Sequence, residues 1–433
     1  MAALGHKQHQ KIDYFLRSLF SGKGLEPLTI EAARKLGLQY LARELRLSAG
    51  RTLMLTDQGL SSFLEIEQVL RESRQFQYAE PSDISTVLKD VLIALLSDAL
   101  KPDNSHELIA LLEKRFDQIR QCHWFVVPVN GVELFDVNAV QLGDLKLVKP
   151  TVEILTALGA KLDDKLHSIA QLGTGPCLVG NIYGTEVYAK REFRFRAELA
   201  IGVVAAVAAM SYNAGATPFR VTLEMSPEGA RSAARYVSWQ EDKPDVTHIY
   251  GWGQHQALRL GQEMTDYLQT APYIQHALTL AQRSDLSILE EAIMRGLFWY
   301  SDAQRDTVTV MQLVKYWSCA EAIFSGNGQA ITKTVSEGVA TVLVCGGFNF
   351  KPVEEYGNVV RQLTAMYAKR SKAVHGAQHD HVTTADIAML SQWTAYMLLG
   401  VLAMAVERGY KAPDEIKVQT QRLAAVLSLS HGS

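Results

Sequence analysis

The chain has four cysteines in 433 residues, Cys122, Cys177, Cys319 and Cys345, and no two of them form a C-x-x-C pair. Neither a zinc ribbon nor a disulfide framework can be built from that supply, so buried free thiols in a reducing compartment are expected. An excess of one charge is also missing. The net charge of −3 gives no global attraction to nucleic acid, and any RNA-binding surface has to be a local patch. Long apolar runs are absent too. Those near 199–210 and 396–406 fall short of the roughly 20 residues that a membrane span needs. The opening residues, MAALGHKQHQKIDYF, lack the apolar core of a signal peptide. The expectation is a cytoplasmic protein with no membrane among its partners.

What the sequence does hold is ordinary globular material, 48% hydrophobic and 21% charged. A length of 433 residues exceeds one core at roughly 100–200 residues per domain, so two or three domains are expected. No fixed-period repeat and no low-complexity segment interrupts the chain.

Residues 1–121 read as a helical region. From Ser82 to Leu100, Ile84, Val87, Leu88, Val91, Leu92, Leu95 and Leu96 fall at helical spacing, and Pro102 follows as a stop. Asn104, three residues before Glu107, caps a next helix carrying Leu108, Leu111, Leu112, Phe116 and Ile119. The texture changes at Cys122. CHWFVVPV is rich in β-formers and ends on the turn dipeptide Asn130-Gly131. Further strands are expected at 145–149, 177–189 and 219–225, with helices near 151–167 and 196–212. Residues 122–270 therefore read as an α+β domain, sensory or regulatory. Gly173-Thr174-Gly175 and Gly180 lack the spacing of a phosphate-cradling loop and read as turn glycines.

From about 283 the pattern is helical again, through 412. Ser287 and Glu290 form a capping box over Ile288, Leu289, Ala292, Ile293, Leu297 and Tyr300. A second helix is expected at 306–325. A third region breaks at Gly346-Gly347, resumes at 353–374 and stops at Gly376. A last helix starts near Thr383 or Thr384, is apolar around most of its circumference, and ends at Gly409; that suits burial in a bundle or between subunits. Residues 413–433 read as a tail. The fold class is thus α+β, predominantly helical: a helical N-terminal region, a mixed middle domain and a C-terminal helical bundle.

Two charges conflict with this pattern. Val359, Leu363, Met366 and Tyr367 make an apolar stripe that Arg370 continues, and a guanidinium is rarely buried unless paired or functional. On the second helix Val310, Leu313, Val314, Trp317 and Phe324 make the inner face, and Glu321 falls on it. His375 lies five residues after Arg370 and directly before Gly376, near the negative end of the helix dipole, which favours a protonated imidazole. An arginine that holds phosphate beside a titratable imidazole suits phosphodiester chemistry. The plainer alternatives are a structural Arg370–Glu321 ion pair and an ordinary capping histidine.

Two other clusters invite function. Lys190, Arg191, Arg194 and Arg196 interleave with Tyr188, Phe193 and Phe195, as cations beside base-stacking rings would on an RNA surface; an amphipathic edge segment with a solvated basic face gives the same string. His375, His379, His381, Asp380 and Asp386 would be enough for a zinc or manganese site, although GAQHDHVTT also reads as a solvated loop before a capped helix.

Residues 286–408 resemble the Apea-like branch of the HEPN superfamily. The resemblance rests on LFWYSDA (297–303), LVKYWSCAEAIF (313–324) and LTAMYAKRSKAVHG (363–376), in that order. The last contains the superfamily's R-x4-H signature, here Arg370 to His375, and the middle one its aromatic and inward glutamate, here Trp317 and Glu321. The resemblance implies a metal-independent endoribonuclease that needs no cofactor and works as a homodimer through the C-terminal bundle, with catalytic Arg370 and His375. It further implies that Glu321 orients Arg370, that Ser371 bonds the phosphate or Arg370, and that Lys369 and Lys372 attract RNA. Ser371 stands where many members of the branch carry Asn or another polar residue, which alters how the arginine is held. The first two parts would then sense a trigger or restrain the nuclease, with an activating or inhibitory protein partner, in anti-phage defence or growth arrest. A non-catalytic HEPN dimerisation or RNA-binding module and a helical adaptor are the competing expectations.

Overall fold

Helices begin where short polar side chains can take up the first free amides. The computed structural model describes residues 4–159, 175–211, 219–223, 234–240, 243–251, 257–325, 331–376 and 381–430. In it Asn104 accepts the Glu107 amide at 3.1 Å, and the Ser287 hydroxyl accepts the Glu290 amide at 3.3 Å while the Glu290 carboxylate accepts the Ser287 amide at 2.7 Å. The chain is α+β and mostly helical, and it folds as two compact units.

The first unit joins Met1–His123 to Asn181–Phe193. Its helices are α1 (His6–Leu19), α2 (Ile30–Leu36), α3 (Tyr40–Arg43), α4 (Asp57–Arg71), α5 (Pro81–Ser97) and α6 (Ser105–Ile119). Ile12, Ile66, Leu88, Leu112 and Phe116 are fully buried where α1, α4, α5 and α6 meet. A small antiparallel sheet accompanies them, ordered β1-β3-β2 from β1 (Leu25–Pro27), β2 (Glu44–Arg46) and β3 (Thr52–Leu55). The helical reading of 1–121 missed this sheet, because strands of three or four residues are too short to show alternation.

The second unit joins Trp124–Gly180 to Arg194–Ser433. Its main sheet has the order β6-β7-β8-β4-β9, from β4 (Gln121–Asn130), β6 (Ala139–Leu142), β7 (Leu145–Val148), β8 (Cys177–Gly184) and β9 (Thr222–Leu223). Gly131 takes φ +76° after β4, as the Asn-Gly turn requires. β5 (Val132–Leu134) pairs in parallel with β12 (Leu258–Leu260), and β10 (Ala234–Gln240) with β11 (Lys243–Gly251) as a hairpin. Of the helix expected at 151–167, α7 (Val152–Ala157) is present and residues 160–167 lie outside the described residues. Residues 224 and 225 of the strand expected at 219–225, and Gly173 and Thr174, lie outside them as well.

The strand expected at 177–189 is a correction. β8 stops at Gly184, and Glu186–Met210 is one helix, α8, whose Tyr188 amide bonds the Thr185 hydroxyl at 3.4 Å. Ala189, Phe193 and Ala197, four residues apart, are fully buried, which is helical and not strand periodicity.

The helical bundle follows: α9 (Gln262–Thr270), α10 (Pro272–Thr279), α11 (Ile288–Arg305), α12 (Thr309–Phe324), α13 (Ile331–Cys345), α14 (Tyr356–Gly376), α15 (Thr384–Glu407) and α16 (Pro413–Ser430). α15 touches α10, α11, α12 and α13, so its all-round apolarity is satisfied by neighbours on every side. Among the described residues it is the one helix long and apolar enough to cross a membrane, with mean hydropathy 1.5 and 78% of that apolar window buried inside the protein. The segment read as a tail is mostly helix: α16 packs on α13 and buries Ile416. All four cysteines are free; Cys177 and Cys319 are buried as expected, whereas Cys345 is half-buried and Cys122 exposed.

Candidate active site

The candidate site lies where α14 crosses α12. Val359, Leu363, Met366 and Ala373 are buried on α14 at spacings of four, three and seven, and Arg370 completes the series between Met366 and Ala373. On α12 the buried face holds Leu313, Tyr316, Trp317, Ala320, Ile323 and Phe324, with Glu321 at its edge. The two anomalous charges do meet. Arg370 Nη2 lies 3.4 Å from Glu321 Oε2, and the two side chains are 20% and 22% exposed.

That geometry is informative because the contact is loose. Charge-assisted N–H···O bonds usually fall near 2.7–2.9 Å and are often bidentate for arginine, and this one is neither. Arg370 Nε is buried without a hydrogen-bond partner. The guanidinium stands 5.8 Å from the Tyr367 ring centroid, and Tyr367 packs at 5.5 Å and 56° against Trp317. Trp317 is fully buried, and its indole N–H is a second donor without a partner. An aromatic shelf thus supports a cation at the rim of the bundle and leaves donors of Arg370 spare.

His375 lies on α14, next to Gly376, the last described residue of that helix. Five residues of regular helix separate it from Arg370, a rise of about 7.5 Å and a turn of about 140° around the axis. Its side chain, like His379 and Asp380, is outside the described residues. Ser371 is half-buried and, among the described residues, makes no hydrogen bond to Arg370. Lys372 is exposed.

Lys369 is paired within the bundle. Its ammonium contacts both Asp386 carboxylate oxygens, at 2.7 and 2.6 Å, and its carbonyl lies 2.9 Å from His381 Nε2. Asp386 meanwhile accepts the Thr383 amide at 2.8 Å and caps α15. Burial alone would raise the Asp386 carboxyl; Lys369 and the Thr383 amide and hydroxyl outweigh it and hold the group below its ordinary value. This clasp ties the last turns of α14 to the start of α15. The capping signal Thr383-x-x-Asp386 was in the sequence; the lysine that completes it was not distinguishable from a solvated one. Among the described residues no three His, Cys, Asp or Glu side chains converge as metal ligands.

The basic string on α8 separates into individual pairs. Arg191 bonds Glu80 at 2.8 Å, Arg194 bonds Glu198 at 2.9 Å, and Arg196 contacts Asp144. Lys190 is exposed. Phe193 is fully buried and Phe195 packs on Phe298 at 4.7 Å, so neither ring is presented for base stacking.

No family model matches this chain, and no curated protein or solved structure matches it either.

Proposed function

We propose that this chain is an endoribonuclease of the HEPN type, with Arg370 and His375 as its reacting pair. The observation that carries the reading is a rim-placed Arg370, resting on Tyr367 and held by one loose contact to Glu321, five residues before His375 on the same helix. A partly exposed guanidinium held by a single 3.4 Å contact can take phosphate oxygens, which a saturated structural ion pair cannot.

The chemistry needs no metal. The RNA 2′-hydroxyl attacks the adjacent phosphorus, His375 moves the proton, and Arg370 stabilises charge on the phosphoryl oxygens. The bond to the 5′-oxygen breaks, leaving a 2′,3′-cyclic phosphate. DNA is inert because it lacks the attacking hydroxyl. Glu321 is a positioning residue for Arg370. In this reading the protein is a cytoplasmic homodimer joined through its C-terminal bundle, and the remaining chain restrains the nuclease until a trigger or partner releases it, in anti-phage defence or growth arrest.

The test compares wild type with His375→Ala on total RNA in EDTA, mapping product ends. Cleavage by wild type alone, with cyclic phosphate ends, is the expected result. Chelator-sensitive cleavage would point to a metal enzyme instead. The Arg370–Glu321 contact also fits a non-catalytic dimerisation module or helical adaptor; equal, background-level activity in both proteins, with a trigger supplied, favours that reading. Phage-infection assays with no dependence on His375 would remove the defence role.

A further inference from the structure

A cavity of about 320 Å³ lies in the second unit between the first turns of α12 and those of α15. Thr309, Gln312 and Tyr316 line it from α12, and Thr384, Ile387 and Ser391 from α15. Part of its lining is buried and polar. The Gln304 amide donates to the Tyr316 hydroxyl at 2.7 Å, and the Tyr300 hydroxyl lies 3.0 Å from that of Ser391. Phe219 adds an apolar wall.

Arg220 also lines this cavity. The guanidinium donates from Nε and Nη2 to the main-chain carbonyls of Gln304 and Asp306. Among the described residues no carboxylate pairs with it. The acids of that corner serve other cations: Asp306 lies 2.8 Å from Lys315, and Asp302 lies 2.8 Å from Lys315 and 3.1 Å from Arg305. α12 also starts on Val308 without a side-chain cap, so its first-turn amides are not claimed by a capping side chain. A partly buried guanidinium that opens on a polar cavity, with no carboxylate in salt-bridge contact among the described residues, is a site that an anion completes.

We infer that this cavity binds a small organic anion, one carboxylate or phosphate-ester group on a compact apolar body. The anionic group sits on Arg220 with Thr309 and Gln312, and the body rests against Phe219 and Ile387. Its volume is at the low end of small-molecule pockets, about 300–1,000 Å³. Arg370 does not line this cavity, and the inference holds whether or not the chain cleaves RNA.

Calorimetric titration of the full chain with benzoate, phenyl phosphate and the neutral benzamide tests it. Binding of at least one anion is expected, with benzamide weaker by about tenfold or more. Preference for phenyl phosphate or for benzoate assigns the head group. Arg220→Gln should weaken anion binding by about tenfold or more, leaving benzamide unchanged. Because Arg220 also ties two carbonyls, Gln312→Leu provides a second variant. Gln312 makes only a 3.4 Å contact to the Ala303 carbonyl, so its replacement keeps the fold and should weaken the anions several-fold. No heat with either anion, equal affinity for benzamide, or wild-type affinity in folded Arg220→Gln or Gln312→Leu would overturn the inference.

Discussion

Arg370 sits between a stripe of buried apolar side chains and water, and that position sets what its removal does. A single 3.4 Å contact between groups 20% and 22% exposed contributes little to stability, about 1 kcal/mol or less. Arg370→Ala is therefore expected to abolish RNA cleavage while leaving the urea midpoint nearly unchanged, measured on the same preparation. A loss of several kcal/mol would mean that the pair is structural. Glu290 is the opposite kind of charged residue. It accepts the Ser287 amide at 2.7 Å and meets Arg283 at 2.5 Å and His276 at 2.8 Å. Burial alone would raise its carboxyl, but the Ser287 amide and the Arg283 guanidinium prevail and hold it at about 2. A folded-state value below the unfolded one gives stability that is full above pH 4.5 and lost as pH falls toward 2. Urea titrations should show a loss across that window larger in wild type than in Glu290→Gln by about 3 kcal/mol. A wild-type curve flat over the window would contradict the assignment.

At the scale of elements, local rules that the chain obeys were legible and those settled by partners were not. Asn104, the Ser287–Glu290 box and Thr383 mark helix starts because caps act within four residues. The inward placement of Glu321 and Arg370 was legible from their spacing to Trp317 and Met366. Their loose geometry was not, since a distance depends on how two helices pack. α8 shows how an element can be misread: Tyr188 and Val187 favour a strand locally, yet Phe193 and Ala197 need a helix to reach the core. The Lys369–Asp386 clasp was hidden for the same reason, joining residues of different helices. Asp386→Ala removes the carboxylate half of the capping box on α15 and leaves the Lys369 ammonium unpaired, so unfolding free energy should drop by about 1–3 kcal/mol. Thermal and urea unfolding measure this, and an unchanged midpoint would show that the clasp carries no weight.

At the scale of the whole molecule, the break in texture near residue 122 falls at a unit boundary, but the first unit is not a contiguous piece of chain. Residues 181–193 belong to it, although nearly sixty residues of the second unit come between. They are held by specific bonds: the Thr185 amide donates to the Tyr78 carbonyl at 3.0 Å, the Thr185 hydroxyl donates to Asp83 at 2.5 Å, and Arg191 meets Glu80. Tyr78 packs on both Tyr183 and Tyr188, at 5.7 and 6.0 Å. A fragment cut at residue 123 therefore keeps the α1, α4, α5, α6 core but strips Tyr78 of its Tyr183 and Tyr188 contacts and leaves Asp83 and Glu80 without these partners. Such a fragment should fold, melt at a lower temperature than the full chain, and be stabilised in trans by a peptide of residues 181–193, an effect set by mass action. Differential scanning calorimetry with and without the peptide reads this directly. If the fragment melts as the full chain does and ignores the peptide, residues 181–193 contribute nothing to the first unit and the discontinuous boundary is wrong.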